Sequence, residues 1–237
     1  NKFMKKSKGD VFKIFMSILV SAAVLAGFIY VLIKGDLERP YITYACVGAC
    51  FLLSLIFIGK SQKKVFLTLA LAATVAGDYF FIFDPTFENS RLIGICIFLG
   101  AQFFYLLYSL SLTKAIGLKV IDVALRVALC LIIYFVVTRY VTLTTVELLA
   151  LMYIANLLVT LISALIHIKT EWLTFLGLFV LLVSNVFAGL VNGGAVILGI
   201  SGGFLDFITK YNIAFYTYIP SLLLISLSSV WQIKKKS

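Results

Sequence analysis

Long apolar runs separated by short polar stretches occupy nearly the whole chain. Eight of these runs are long enough to cross the hydrocarbon core of a bilayer as helices, which takes about 20 residues. They cover residues 11–33, 41–59, 65–83, 92–113, 120–138, 147–168, 172–192 and 212–233. Because the connections leave no room for a separate soluble domain, the pattern predicts one integral membrane domain over residues 1–237, an all-α bundle of eight transmembrane helices.

Two of the predicted helices share a local pattern. The stretch Ala76–Asp78 in the third helix is matched by Val183–Asn185 in the seventh. Helices four positions apart in an up-and-down bundle run in the same direction, so the match is consistent with a parallel 4+4 internal repeat. The repeat requires residues 193–211 to be an inserted loop, and chance similarity between two apolar helices is the alternative.

Basic residues predict the orientation of these helices. The chain has a net charge of +10, and most of its lysines lie before the first helix or in loops on that same side, as do Lys6, Lys63 and Lys235. The positive-inside rule therefore puts both termini in the cytoplasm. Nucleic-acid binding requires a basic stripe on a soluble face, so we predict no nucleic-acid partner. The first apolar run is too long for a signal peptide and is predicted to be a retained helix.

Several classes of chemistry are excluded by what the sequence lacks. His167 is the one histidine, and the four cysteines lie within predicted helices without the spacing of metal ligands. We therefore predict no metal and no cofactor. The chain has neither a Gly-x-Ser-x-Gly turn nor a P-loop, which argues against serine hydrolases of that type and against P-loop enzymes.

Asp78 is the one acid deep within an apolar predicted helix. A carboxylate at that depth costs several kcal/mol unless it is paired, protonated or facing a wet cavity. Asn185 lies as far beyond Glu171 as Asp78 lies beyond Lys64, so both are expected about 21 Å from the cytoplasmic face at 1.5 Å per residue. The sequence therefore predicts that Asp78 and Asn185 face one polar hollow that admits an amphiphile.

Polar side chains on three other predicted helices form stripes that are expected to face the interior of the bundle. They are Gln102, Tyr105 and Ser109 in the fourth helix, Tyr153, Asn156, Thr160, Ser163 and His167 in the sixth, and Tyr216, Tyr218 and Ser221 beside Pro220 in the eighth. Hydrogen bonding between helices is the simpler explanation of the serines and threonines, whereas for the amides a role in the hollow is equally supported. The tyrosines of the eighth helix are alternatively interfacial belt residues. Asp122 and Arg126 are predicted to form an ion pair, with Arg126 reaching towards the interface.

The motifs around Asp78 resemble those of the YhhN/TMEM86 family of lysoplasmalogenases. Members of that family carry Gly-Asp with an apolar tail, then Gly-x-x-x-Phe, then His-x-x-Tyr on the next helix. The corresponding residues here are Gly77 and Asp78, Gly94 and Phe98, and Gln102 and Tyr105. The pair Ser184–Asn185 resembles the family's Ser-Asp, and Arg39–Pro40 resembles its Lys-Pro. The likeness covers the second to eighth predicted helices.

The resemblance implies hydrolysis of the vinyl-ether bond of a lysoplasmalogen in the membrane, which releases a fatty aldehyde and a glycerophospho-alcohol. Such cleavage needs an acid that protonates the vinyl carbon and a second group that stabilises the cation and activates water. Asp78 is implied as the acid, and Asn185 holds the second catalytic position. The residues implied in substrate binding are Gln102, Tyr105, Tyr153, Asn156, Ser184 and Tyr218.

The sequence departs from the family where the chemistry is expected. Asn185 stands in place of a second aspartate and Gln102 in place of a histidine. An amide orients water or substrate but takes no proton near neutral pH. Asp84, Glu88 and Asp206 at the outer rim are the nearest substitutes. Two alternatives stay open: a relative that binds a lipid or amphiphile without hydrolysing it, and a small proton-coupled transporter. We expect a multi-pass protein of a bacterial cell membrane with a lipid or lysolipid substrate, and its oligomeric state is left open.

Overall fold

The computed structural model describes residues 8–34, 39–58, 61–83, 89–191, 203–211 and 213–231. Of these residues 93% are helical and none lies in a strand, so the all-α prediction is confirmed. The described helices are α1 Lys8–Lys34, α2 Arg39–Ile56, α3 Gln62–Ile82, α4 Ser90–Leu112, α5 Ile116–Tyr140, α6 Thr145–Ile166, α7 Ile168–Gly189, α8 Gly203–Tyr211 and α9 Ile213–Trp231. Within α5 the hydrogen bonds widen to a π-helical turn at Ile133–Val137.

Among the described residues, six helices are long and apolar enough to cross a membrane, namely α1, α3, α4, α5, α6 and α7. This is consistent with a multi-pass membrane protein. The remaining two helices in predicted spans, α2 and α9, are shorter, with apolar stretches at Pro40–Ile56 and Ile213–Ser229. Every predicted apolar run therefore coincides with a helix, although the apolar stretches of α2 and α9 are shorter than those of the other six.

The segment 193–211, which the pattern assigns to a loop, contains a further helix. Its described part is α8, nine residues long, and residues 193–202 lie outside the described residues. Phe204 and Phe207 lie three positions apart in α8 and are both exposed, with Asp206 between them. Apolar residues at this spacing are typical of a short amphipathic helix, which the flanking glycines obscure in the sequence.

Glycines set the spacing of two helix pairs, α3 with α4 and α7 with α9. A Cβ atom at Gly177 of α7 would lie 2.7 Å from Cγ1 and 2.9 Å from the backbone nitrogen of Ile225 in α9. A Cβ atom at Gly94 of α4 would lie 2.6 Å from the ring of Phe81 in α3. Small residues at helix contacts let the backbones approach closely, which is how helices pack where lipid supplies no hydrophobic driving force.

Attachment of α5 to the bundle differs from that of the other helices. Among its described residues only Asp122 and Arg126 are buried, and most of the others are exposed and apolar. The other helices also bury apolar residues, such as Leu53, Leu71 and Leu178, which are fully buried. Polar contacts therefore hold α5 in place, and its apolar faces suit a lipid environment.

Candidate functional site

Asp78 lies near the end of α3 with its side chain buried in the bundle. The Tyr218 hydroxyl of α9 donates a hydrogen bond of 2.7 Å to Oδ2 of Asp78. An unpaired carboxylate at this depth would be costly, and the phenol offsets part of that cost. Tyr218 therefore lies inside the bundle beside the acid, which disfavours the alternative that it is an interfacial belt residue.

Asn185 of α7 joins the same polar region through Tyr153 of α6. Asn185 Nδ2 donates a hydrogen bond of 3.2 Å to the Tyr153 hydroxyl and one of 2.9 Å to the Leu181 carbonyl. Tyr153 is close enough to Asp78 for the two side chains to interact electrostatically. The acid and the amide that the sequence pairs by depth are thus linked through one phenol.

Two buried side chains of α4 face this region without a hydrogen-bond partner. Gln102 lies beside the Tyr153 hydroxyl, and Tyr105 lies near Tyr153 and Tyr218. Neither amide atom of Gln102 nor the hydroxyl of Tyr105 meets hydrogen-bond geometry with any described residue. A buried polar atom left in that state costs about 1–3 kcal/mol, so each is an atom that a ligand or water would satisfy.

These six side chains are called the Asp78 cluster below. Its members are Asp78, Gln102, Tyr105, Tyr153, Asn185 and Tyr218. They come from five different helices, and all six belong to the residues that the sequence predicts for the site. The cluster contains one carboxylate, three phenols and two amides, a combination that can hold and transfer protons and orient polar groups.

The glycine before Asp78 is explained by an aromatic ring that lies against it. A Cβ atom at Gly77 would be 3.2 Å from three ring atoms of Phe98 in α4. The Phe98 ring lies 5.9 Å from the ring of Tyr153, measured between centroids, at an angle of 61°. Phe98 packs between Gly77 and Tyr153 and so holds the Tyr153 phenol beside Asp78. This contact explains why the Gly-Asp motif has a glycine and why position 98 has a phenylalanine.

An ion pair at the other end of the bundle aligns the helices of the cluster. Lys63 in the first turn of α3 lies 2.5 Å from Oε1 of Glu171 in the first turn of α7. The two helices therefore start at the same level. At 1.5 Å per residue, Asp78 and Asn185 then lie at nearly the same depth, about 21–23 Å along the helix axes from the ion pair. The equal depth that residue spacing predicts is therefore supported by a direct contact.

Asn156 and Ser184 lie apart from the Asp78 cluster. Asn156 faces α5, where its backbone carbonyl accepts a hydrogen bond of 3.0 Å from Arg126. Ser184 donates a hydrogen bond of 2.6 Å to the backbone carbonyl of Ala214 in the first turn of α9. The polar residues of α6 therefore face two different neighbours, because residues three positions apart do not point in quite the same direction. Tyr153 faces Asp78, whereas Asn156 faces Arg126.

The predicted ion pair in α5 is present but points inward. Arg126 Nε lies 2.8 Å from Oδ1 of Asp122, and Arg126 also donates a hydrogen bond of 3.0 Å to Thr160 in α6. Oδ2 of Asp122 accepts hydrogen bonds from Ser163 and Ser109. The prediction that Arg126 reaches towards the interface is therefore wrong, because α6 offers it acceptors inside the bundle.

A cavity of about 70 Å³ lies beside this ion pair, between α4, α5 and α6. Asp122, Ser163 and His167 line it together with apolar side chains such as Ile162. The Asp78 cluster does not line this cavity. The described residues show a group of buried polar side chains around Asp78, and the hollow itself stays a prediction.

Glu171 is the main functional candidate that the sequence prediction misses. It is 2% exposed, and besides Lys63 it accepts a hydrogen bond of 3.0 Å from the Tyr108 hydroxyl. Its place near a helix start beside Lys169 suggests an interfacial residue, but it is buried where Lys63 of α3 and Tyr108 of α4 contact it. The signal in the sequence is a spacing: Glu171 precedes Asn185 by the same number of residues as Lys64 precedes Asp78.

The cluster offers no second carboxylate among the described residues. Asp206 is exposed on α8, and Asp84 and Glu88 lie outside the described residues. Within the described ranges, no three His, Cys, Asp or Glu side chains are grouped so that they could hold a metal ion. Comparison with protein-family models, curated proteins and solved structures finds no match to the chain.

Proposed function

We propose that this protein is a multi-pass membrane hydrolase of the lysoplasmalogenase type, which cleaves the vinyl-ether bond of a lysophospholipid. The observation that carries the proposal is the buried Asp78 carboxyl, with Tyr218 bound to one oxygen and unsatisfied polar atoms of Gln102 and Tyr105 nearby. A buried acid in a transmembrane helix is costly and is therefore retained for function. The family motifs centred on this residue favour ether hydrolysis.

In the proposed scheme the carboxyl group of Asp78 fills both positions in turn, first as the acid and then as the base that activates water. The asparagine at position 185 is compatible with this scheme. Protonated Asp78 donates its proton to the vinyl carbon remote from oxygen, which produces an oxocarbenium ion and the Asp78 carboxylate. That carboxylate then takes a proton from water as the water oxygen bonds to the cationic carbon. When the resulting hemiacetal breaks its bond to the alkoxy oxygen, Asp78 gives its proton to that oxygen and takes the proton of the hemiacetal hydroxyl. Aldehyde and glycerophospho-alcohol are released, and Asp78 ends protonated as it began.

The other members of the cluster have supporting roles in this scheme. Tyr218 holds Asp78 in one orientation through its hydrogen bond, and the carboxylate formed in the first step is stabilised by the same donor. Asn185 fixes the Tyr153 hydroxyl, which lies near the acid. Gln102 and Tyr105 have free polar atoms for the reacting water or the ether oxygen.

The decisive experiment measures aldehyde release from a lysoplasmalogen by detergent-purified protein. Asp78→Asn keeps the size of the side chain and is expected to lower the rate about 100-fold or more, the usual scale for loss of a general acid. Asp206→Asn, at an exposed aspartate of α8, is the matched control and should retain activity. In ¹⁸O-labelled water the glycerophospho-alcohol should remain unlabelled, because the bond that breaks is on the vinyl side of the ether oxygen. Full activity of Asp78→Asn would refute the proposal.

A second candidate is binding of a lipid or amphiphile without hydrolysis. It is favoured by one observation: Asn185, where the family has an aspartate, is hydrogen-bonded to Tyr153 and adds no acid to the cluster. Lipid that co-purifies with the protein, together with no aldehyde release, would support this candidate. The transporter alternative is less favoured, because α3 and α7 remain helical through Asp78 and Asn185 and lack the break typical of transport helices.

We also propose that α2 and α9 cross the membrane, which gives eight spans with cytoplasmic termini. Both helices contribute to the buried core, with Cys50 and Leu53 from α2 and Leu222 from α9 fully buried. Helices of about 17 residues lie at the short end of the range for a span. The parallel 4+4 repeat belongs to this proposal and is supported by the joined first turns of α3 and α7, the third and seventh helices.

A further inference from the structure

A row of polar side chains follows one side of α4 through the interior of the bundle. Gln102, Tyr105 and Tyr108 succeed one another at intervals of three residues, which makes each a neighbour of the next on the helix surface. Their exposed fractions are 3%, 1% and 0%. Three polar groups at successive turns inside an apolar bundle are costly, so the row needs an explanation beyond packing.

The two ends of this row are anchored differently. At one end the Tyr108 hydroxyl donates a hydrogen bond of 3.0 Å to Glu171, which is paired with Lys63, and the Lys63 side chain is 29% exposed. At the other end Gln102 and Tyr105 lie next to Tyr153 in the Asp78 cluster. The row thus connects a partly exposed ion pair at the start of α3 with the buried acid near its end.

Two of the three members of the row, Gln102 and Tyr105, are unsatisfied. Both amide atoms of Gln102 and the Tyr105 hydroxyl are buried without a hydrogen-bond partner among the described residues. Tyr108, by contrast, is hydrogen-bonded. Donors and acceptors that lie in a line between a partly exposed site and a buried carboxyl suit a chain of small hydrogen-bonding molecules, each of which satisfies two to four groups.

We infer that Gln102, Tyr105 and Tyr108 line a water passage from the Lys63–Glu171 ion pair to Asp78. Water fits the chemistry of the row, which offers both donors and acceptors from hydroxyl and amide groups. An acyl chain does not, because it would leave the same polar atoms unsatisfied. The side of the bundle that carries Lys63 is the lysine-rich side, so water enters from the face predicted to be cytoplasmic.

The passage deepens the proposed function, since ether hydrolysis consumes one water per turnover and the reacting carbon lies in a buried site. Its existence does not depend on that reaction, and its test uses no substrate. A negative hydrolysis assay would therefore not contradict the passage, and a negative result for the passage would not contradict the proposed hydrolysis.

Radiolytic footprinting of the unmodified protein in lipid nanodiscs tests the passage. X-ray pulses create hydroxyl radicals from waters in place, so side chains that touch water are oxidised even when they are buried. Because a phenol reacts with hydroxyl radical faster than an aliphatic side chain, each rate is first divided by the rate of the free amino acid. After this normalisation we expect Tyr105 and Tyr108 to be modified about tenfold faster than Leu157 and Leu178, which are also fully buried but lie among apolar neighbours. Equal normalised rates at the tyrosines and the leucines would overturn the inference, as would modification of Tyr108 without Tyr105, because the passage would then stop short of Asp78.

Cysteine accessibility provides a second measurement. In a background with the native cysteines replaced by alanine, Tyr105→Cys and Gln102→Cys should react with a small charged thiosulfonate, which needs a hydrated thiolate. Phe103→Cys is the matched control, because residue 103 is next to Gln102 but is 56% exposed on the outer face of the helix, where lipid prevents thiolate formation. Reaction only at position 103, or at none of the three, would refute the passage.

Discussion

The Tyr218 hydroxyl and the Asp78 carboxyl are joined by a 2.7 Å hydrogen bond between residues 140 positions apart in the chain. The bond ties the end of α3 to α9 at the depth where Asn185 and Tyr153 also meet. It fixes one carboxyl oxygen and leaves the other available to a substrate or water. An acid with one restrained oxygen and one available oxygen is suited to directed proton transfer.

Removal of that hydrogen bond should weaken the bundle. Tyr218→Phe leaves Oδ2 of Asp78 without its phenolic donor, which is expected to cost about 1–3 kcal/mol of unfolding free energy. Thermal unfolding in detergent micelles measures the change. Tyr216→Phe is the control, because the described contacts of Tyr216 are made through its ring, to Phe28 and Phe215. An equal loss in the two variants would contradict the structural role of the bond.

Glycine substitutions should separate packing positions from tolerant ones. Gly177→Ala is expected to destabilise by about 1–3 kcal/mol, because its Cβ atom would overlap the backbone of Ile225 at 2.9 Å. Gly100→Ala has no atom within 4 Å of its Cβ position and should be neutral or stabilising by up to about 1 kcal/mol, through helix propensity. Unfolding midpoints in the same detergent provide the comparison, and a stable Gly177→Ala would mean that α7 and α9 are further apart than described.

The two partners of the Lys63–Glu171 ion pair should differ in the cost of their removal. Lys63→Met leaves the Glu171 side chain, 1% exposed, without this cation, which is expected to cost about 3 kcal/mol. Glu171→Gln leaves Lys63, which is 29% exposed and can turn to water, so its cost should be smaller. Thermal unfolding of both variants in parallel gives the order, and the reverse order would show that Glu171 is not buried as described.

A double-mutant cycle should reveal how α5 is held. Asp122→Asn leaves Arg126 as a buried cation without its carboxylate, and Arg126→Met leaves Asp122 without its cationic partner. The double variant removes both charges, so its loss of unfolding free energy should be smaller than the sum of the single losses by about 1–3 kcal/mol. Additive losses, measured by chemical unfolding in mixed micelles, would indicate that the pair makes no net contribution.

Residue pattern alone was enough to predict the helices and most of the site. The apolar runs locate α1 to α7 and α9, because membrane-spanning helices need long uninterrupted stretches of apolar residues. All six members of the Asp78 cluster were predicted. Asp78 and Asn185 were paired by depth, and the other four were chosen as polar positions on neighbouring helices, two of them within the family motif. Helix α8 was missed, because a nine-residue helix leaves only a weak periodic signal beside glycines.

Helix rotation and the partners of each side chain were decided by the tertiary structure. Asn156 and Tyr153 lie on one predicted stripe of α6, yet Asn156 faces Arg126 and Tyr153 faces the acid. Glu171 appears interfacial in the sequence but is buried where residues of α3 and α4 contact it. Spacing along a helix gives the height of a side chain, since each residue adds a fixed rise. The neighbour it meets depends on how other helices pack, and that depends on contacts between residues far apart in the chain.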